Sequence, residues 1–212
     1  GDGDRAVFVD ETGRPISSDL VTGLLAAPVL RRAPGARVLY DLRSSRATRE
    51  AVEAAGGVAE MCRVGHSFVK AAMRESGAAF GGELSGHFYF RFPGGLVADD
   101  GCAAFVALID VLATEKRPLS ELVAPLRRYH ATGEINRRVT DVPALLRGIE
   151  ADYAPGGSVS HMDGLRIEYP EWWFSLRPSN TEPALRLNLE ATSAERMARE
   201  RDRLLARIEA AG

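Results

Sequence analysis

The sequence has little of what marks several large classes of protein. Its 212 residues include only Cys62 and Cys102, too few for a disulfide framework and too far apart for a C-x-x-C zinc motif. No apolar run approaches the roughly 20 residues that cross a bilayer. The 27 Lys and Arg nearly balance the 29 Asp and Glu, so the basic excess of a nucleic-acid-binding protein is missing. We therefore expect a cytoplasmic protein with two reduced core thiols and neither membrane nor nucleic acid as a partner.

What remains is the composition of an ordinary globular chain, with 45% hydrophobic and 26% charged residues. Strand-like and helix-like segments alternate over residues 15–130, which favours an α/β layer architecture. Beyond that point strand-like runs follow one another through short loops, which favours an antiparallel sheet with helices on one face. The expected fold is a mixed-sheet α/β domain followed by a smaller α+β domain over residues 131–212.

Apolar periodicity and the positions of Gly, Pro and capping residues locate the elements. Helices are predicted at 19–32, 46–55, 66–76, 99–113, 119–129, 141–151 and 193–210. Strands are predicted at 37–42, 58–64, 78–82, 88–92, 164–169, 171–176 and 184–191.

Two loop segments carry acidic and hydroxyl groups. The chain starts Gly-Asp-Gly-Asp-Arg, and Asp2 and Asp4 could converge on one divalent cation; a solvated Asp/Gly turn is the alternative. Between two predicted strands lie Glu83, Ser85 and His87. A carboxylate there can accept bonds from neighbouring sugar hydroxyls, and a glycine-rich hairpin turn is the alternative.

Two other segments suit an anion. His66 lies at a strand-to-helix junction, where backbone N–H groups attract anions, with Lys70 one turn later; a helix cap beside a solvated lysine is the alternative. The segment 177–183 reads R-P-S-N-T-E-P and offers a guanidinium, two hydroxyls and an amide to a phosphate dianion; an ordinary Ser/Asn/Pro turn is the alternative. Taken together these segments offer a cation site, a site for sugar hydroxyls and a phosphate clamp, and a phosphorylated sugar would use all three.

These motifs carry a family resemblance. The sequence has G-D-G-D-R at 1–5, G-E-L-S-G-H at 82–87 and R-P-S-N-T-E-P at 177–183, with D-L-R-S-S-R at 41–46 and G-H-S-F-V-K at 65–70. It resembles the C-terminal part of the α-D-phosphohexomutases, specifically the phosphoglucomutase/phosphomannomutase group. The metal, sugar and phosphate loops of that group are D-G-D-x-D-R, G-E-x-S-G-H and R-x-S-N-T-E-P, in this order.

The resemblance implies roles for individual residues. Asp2 and Asp4 would be two of three Mg²⁺ ligands, Arg5 would orient the reacting phosphate, and His87 would be a candidate for proton transfer. The sugar would be bound by Arg43, which stands where the family usually has lysine, and by His66, Glu83, Ser85 and His87. The non-reacting phosphate would be bound by Arg177, Ser179, Asn180 and Thr181.

The implied reaction interconverts hexose 1-phosphate and hexose 6-phosphate, of glucose or mannose, through a phosphoserine and a bisphosphate intermediate. Nothing in this sequence resembles the family's phosphoserine segment, T-A-S-H-N-P. We therefore expect a piece of a longer protein, inactive without its N-terminal domains, in which 1–14 is a remnant of the metal-binding second domain. Residues 15–130 would be the third domain and 131–212 the fourth.

Two alternatives remain open. A phosphoglucosamine mutase is the nearer one, although that branch typically has glycine where this chain has Asn180. The other is a non-catalytic phosphosugar-binding protein.

Overall fold

The computed structural model describes residues 3–179 and 184–210. The chain divides into two compact units, Gly1–Arg128 and Tyr129–Gly212. The first unit has a mixed sheet with helices and the second has an antiparallel sheet with helices, so the predicted fold class is confirmed.

The strands of the first unit are β1 (Phe8–Val9), β2 (Pro15–Ile16), β3 (Arg37–Asp41), β4 (Val58–Cys62), β5 (Phe80–Gly82), β6 (Phe88–Arg91) and β7 (Val97–Asp99). The unit is built on a five-stranded sheet with the strand order β4-β3-β5-β6-β7. Strand β3 pairs in parallel with β4 and β5, whereas β5–β6 and β6–β7 are antiparallel. The helices are α1 (Ser18–Arg32), α2 (Arg46–Ala54), α3 (His66–Ser76), α4 (Gly101–Glu115) and α5 (Leu119–Val123).

Local chemistry sets several of these helix ends. The Ser45 hydroxyl accepts a hydrogen bond from the Ala47 N–H and caps α2, and the Asp100 carboxylate does the same for α4 through Ala103. Helix α3 ends at Gly77, which has a φ of 71° and closes the helix in the left-handed conformation. These caps fix where the loops around the sheet begin.

Three expectations for the first unit differ from the structure. Helix α4 begins at Gly101 because Asp99 still pairs in β7 and Asp100 is the cap. Helix α5 gives way to a 3₁₀ turn around Pro125, whose ring cannot continue the α-helical hydrogen bonds. Cys62 is buried as expected, but Cys102 is exposed on the outer side of α4, so the prediction of two core thiols is wrong for it.

The strands of the second unit are β8 (His130–Ala131), β9 (Ile135–Arg138), β10 (Ser158–Ser160), β11 (Leu165–Glu168), β12 (Trp172–Pro178) and β13 (Ala184–Ala191). They form an antiparallel sheet in the order β10-β11-β12-β13-β8, with β9 also pairing with β13. The helices of the unit are α6 (Val142–Tyr153) and α7 (Ala194–Glu209).

The core of the second unit follows from strand alternation. Phe174 and Leu176 of β12 are fully buried with Leu187 of β13, and Ile149 of α6 and Leu204 of α7 pack in the same cluster. Neither unit contains, within the described ranges, a helix long and apolar enough to cross a membrane.

Candidate functional site

The carboxyl ends of neighbouring strands bring the acidic residues of the first unit together. Asp41 ends β3 and Glu83 follows β5, and because these two strands are parallel their carboxyl ends share one edge of the sheet. Crevices at this edge are the usual ligand sites of α/β sheets. Asp99, at the end of β7, contacts His87, which directly precedes the neighbouring β6.

His87 is the centre of a polar chain that the sequence analysis only partly anticipated. Its Nε2 accepts a hydrogen bond from Arg5 Nε at 2.9 Å, and its Nδ1 lies 3.0 Å from Asp99 Oδ2. The other Asp99 oxygen accepts from Lys70 Nζ at 2.9 Å. The two predicted residues Arg5 and His87 are thus in direct contact, and Lys70 forms an ion pair with Asp99.

Burial acts to raise the pKa of Asp99, but the hydrogen bond from Lys70, a backbone hydrogen bond, the charge of Lys70 and the hydrogen bond from His87 together lower it by more. The net pKa lies below the ordinary aspartate value. The Asp99 carboxylate is therefore ionised at neutral pH and faces both partners as an anion.

The backbone of the N-terminal segment holds Arg5 beside His87. Arg5 pairs with His87 in an antiparallel bridge, and the Ala6 N–H donates to the Gly86 carbonyl at 2.9 Å. At the start of α4 the approach is closer still, because a Cβ on Gly101 would lie 2.6 Å from the Arg5 carbonyl oxygen. Only glycine fits there without displacing Arg5.

Glu83 is almost completely buried and both of its oxygens are engaged. Oε1 accepts from the Gly65 N–H at 2.7 Å, and Oε2 accepts from the Tyr89 hydroxyl. Burial, reinforced by the Glu83 carboxylate, raises the pKa of Tyr89 far above its ordinary value, so the hydroxyl stays a donor. The glutamate predicted to bind sugar is therefore fixed in place by two donors.

Asp41 organises the neighbouring loop. Its carboxylate binds the Arg43 guanidinium through Nε at 3.1 Å and Nη2 at 2.8 Å, and accepts from the Leu84 N–H at 2.7 Å. The Arg43 side chain is 9% exposed. Arg43, expected at the sugar, is thus held beside the turn that carries Glu83.

Two predicted sugar contacts lie at the surface of this region. Ser85, in the turn between β5 and β6, and His66, the first residue of α3, are both exposed. The His66 ring is nearly parallel to that of His87, with 6.2 Å between the ring centroids.

A metal site was expected at Asp2 and Asp4. Asp2 lies outside the described residues. The side chain of Asp4 is 28% exposed, and its Oδ2 lies 3.6 Å from His87 Nδ1. Ligand atoms of Asp4, His87 and Asp99 lie within 4.8 Å of one another. Because Mg²⁺ prefers oxygen ligands, the Asp4 carboxylate fits such an ion better than the imidazole does.

In the second unit, Arg177 lies near the end of β12 with its side chain 12% exposed. Its Nε donates to Asp163 at 2.9 Å, while its buried Nη1 has no hydrogen-bond partner within the described part of the chain. Arg186 is its cross-strand neighbour and donates to the Ser179 hydroxyl at 3.4 Å. Asn180 and Thr181 lie outside the described residues.

Sequence reasoning missed three residues that shape the site: Asp41, Tyr89 and Asp99. Asp41 stands in the sequence only as the first letter of D-L-R-S-S-R, and Tyr89 falls inside the strand predicted at 88–92. The Asp99-Asp100 pair, directly after a short apolar run, was a usable signal, because two successive acidic residues are unusual inside an apolar helix.

Comparisons with known proteins match both units to models of a single family. Residues 17–129 match the family model described as phosphoglucomutase/phosphomannomutase, alpha/beta/alpha domain III, and residues 134–207 match its C-terminal domain. A phosphomannomutase of Methanocaldococcus jannaschii is 40% identical over 93% of this chain and 43% of its own length.

Solved structures agree as well. A phosphoglucomutase/phosphomannomutase family protein of Burkholderia thailandensis superposes with a TM-score of 0.86 and 38% identity, over 100% of this chain and 45% of its own. The Aspergillus fumigatus N-acetylphosphoglucosamine mutase, solved in complex with GlcNAc-6P and magnesium, shares the fold at a TM-score of 0.73 and 17% identity, over 100% of this chain and 48% of its own.

The chain spans less than half the length of these relatives. Both of its units are nevertheless matched along nearly their whole described length, in the same order. The chain belongs to the phosphoglucomutase/phosphomannomutase family.

Proposed function

We propose that this chain supplies the sugar- and phosphate-binding part of a phosphohexomutase. The complete enzyme interconverts hexose 1-phosphate and hexose 6-phosphate, of glucose or mannose, through a phosphoserine and a bisphosphate intermediate. The observation that carries the proposal is the meeting of Arg5, Glu83 and His87 at one edge of the first unit's sheet. The names of the related proteins support the same reaction class.

Glu83 is suited to reading sugar hydroxyls. Each carboxylate oxygen has two acceptor positions, so the bonds from Gly65 and Tyr89 leave capacity for two hydroxyl donors. Because those two donors hold the carboxylate, little conformational entropy is lost when the sugar binds. Ser85 and His66, exposed beside it, would complete the sugar contacts.

Arg5 is suited to the transferred phosphoryl group. Catalysis of this transfer depends on positioning and on cations that neutralise developing charge. His87 binds the Nε of Arg5, which leaves the Nη nitrogens outside that contact and available for an equatorial phosphate oxygen.

Asp2 and Asp4 would hold a Mg²⁺ ion with a third carboxylate from the upstream part of the enzyme. When bound, the ion would add positive charge beside the transferred group. At the other end of the substrate, Arg177, Ser179, Asn180 and Thr181 would bind the phosphate that does not react. The buried, unpartnered Nη1 of Arg177, as far as the described residues go, supports an anion at this place.

The chain alone is proposed to be inactive, because the phosphoserine would come from N-terminal domains that this sequence does not include. The test supplies Mg²⁺ and a trace of hexose 1,6-bisphosphate to the chain and to a longer protein that includes those domains. In an assay near neutral pH, as in the cytoplasm, we expect only the longer protein to turn over glucose and mannose phosphates. Turnover by the chain alone would refute its inactivity.

The same assay separates the alternatives. A longer protein that turns over only glucosamine phosphate would be a phosphoglucosamine mutase. A longer protein that binds hexose phosphate without converting it would be a binding protein. A Glu83→Gln variant of the longer protein should lose turnover, which would tie the reaction to this chain's residues.

A further inference from the structure

We propose that Asp99, held by Lys70, is a positioning residue that fixes His87 in the tautomer with its proton on Nδ1. In this tautomer the Nε2 lone pair faces Arg5 and holds its guanidinium. The assignment concerns Asp99 and Lys70, two residues to which the family motifs give no role. Its importance for phosphoryl transfer rests on the proposed function, whereas the tautomer itself does not.

The argument starts from the arginine. The Nε of an arginine always carries a hydrogen and can only donate. Arg5 Nε lies 2.9 Å from His87 Nε2 and donates to it. An imidazole nitrogen that accepts a hydrogen bond cannot carry a proton, so Nε2 is the unprotonated nitrogen of the ring.

The other ring nitrogen must then carry the proton. His87 Nδ1 is 3.0 Å from Asp99 Oδ2 and 3.6 Å from Asp4 Oδ2. Only the first distance is that of a hydrogen bond, so Nδ1–H donates to Asp99. Such a carboxylate partner is a general means of fixing the tautomer and the orientation of an imidazole.

Lys70 fixes the carboxylate in turn. Its Nζ donates to Asp99 Oδ1 at 2.9 Å, and the two side chains are 24% and 9% exposed. Lys70 lies on α3, Asp99 ends β7 and His87 directly precedes β6, so one chain of hydrogen bonds joins residues of separate elements to Arg5. In this state His87 can accept a proton but cannot give one from Nε2.

The test is long-range ¹H–¹⁵N spectroscopy of the ¹⁵N-histidine-labelled chain at about pH 8, above the ordinary histidine pKa. The protein has four histidines, and a His87→Gln variant assigns the relevant signals. His161 provides an internal comparison, because its Nε2 lies 3.0 Å from Glu150 Oε2. We expect opposite tautomers, with the proton on Nδ1 in His87 and on Nε2 in His161.

Asp99→Ala removes the acceptor of Nδ1–H and leaves only the bond from Arg5 to select the tautomer. The single Nδ1–H signature of His87 should therefore give way to a mixture of both tautomers, with His161 unchanged. Glu150→Ala, the matched control, should affect only His161. If the alanine variant does not fold, Asp99→Asn replaces it. The Lys70 ammonium can only donate, so the asparagine carbonyl oxygen would face it and the amide N–H₂ would face Nδ1 as a donor. The single Nδ1–H signature should therefore again be lost.

A proton on Nε2, or on both nitrogens, of wild-type His87 would overturn the proposal. So would an unchanged Nδ1–H signature in a folded Asp99 variant. Because these spectra need neither substrate nor the upstream domains, their failure is distinguishable from failure of the mutase assay.

Discussion

The two arginine-bearing regions are organised differently. In the first unit, Arg43 is clamped by Asp41 through two nitrogens, and Arg5 is bound to His87. In the second unit, Arg177 meets Asp163 through Nε alone, and among the described residues its Nη1 and the Nε of Arg186 are buried without partners. A buried donor without a partner costs about 1–3 kcal/mol. The first region is thus arranged by its own side chains, whereas the second keeps donor capacity that an anion would use.

The largest expected effect comes from removing the Asp41 carboxylate that binds Arg43. Asp41→Ala removes the buried carboxylate that binds two nitrogens of the nearly buried Arg43 and accepts from the Leu84 N–H, and breaking a buried ion pair typically costs about 3–5 kcal/mol. Both tryptophans lie in the second unit, so unfolding of the first is best followed by hydrogen exchange of its amides.

The matched control is Asp110→Ala. Its partner Arg32 is 78% exposed, and exposed ion pairs contribute about 0–1 kcal/mol. Equal losses of protection in the two variants would contradict the contrast between clamped and solvated arginines.

The second prediction concerns the phosphate side. In the longer protein, Arg177→Ala should raise KM roughly 10- to 100-fold, because hydrogen bonds to charged groups contribute about 1.5–3 kcal/mol. Lys70→Ala should change KM far less, since Lys70 contacts Asp99. Steady-state kinetics with hexose 1-phosphate measure both, and similar KM values would argue against a phosphate clamp at Arg177.

The smallest effect compares two tyrosine hydroxyls. Tyr89→Phe removes a donor to the Glu83 carboxylate and should destabilise the first unit by about 1.5–3 kcal/mol. Tyr169→Phe removes a donor to the neutral Tyr153 carbonyl and should destabilise the second unit by about 0.5–1.5 kcal/mol. Hydrogen exchange reports on both units, and the reverse ranking would show that acceptor charge does not set the loss.

Much of the fold could be predicted because periodicity and caps coincide. The helix predicted at 66–76 is α3, between Gly65 and Gly77, and the strand predicted at 184–191 is β13. Short strands such as β1 and β8 were not predicted, because two residues carry no detectable alternation. Strand β1 exists only through its pairing with the equally short β2, and β8 only through pairing with the distant β13.

The site could be predicted where a motif is contiguous, and not where partners come from separate elements. Glu83 and His87 were identified from one loop. Their partners Tyr89 and Asp99 were missed, since whether a strand residue's hydroxyl or carboxylate faces a neighbouring group depends on strand pairing. Cys102 shows the converse failure, because burial of a thiol on an apolar helix depends on which side faces the sheet.

The missing Cβ of Gly101 leaves room for the backbone of residue 5, whose guanidinium binds the imidazole of residue 87. An alanine at that helix start would displace the N-terminal backbone at residues 3 and 5 without changing any charged side chain. The position of one arginine of the candidate site therefore depends on a residue that has no functional group at all.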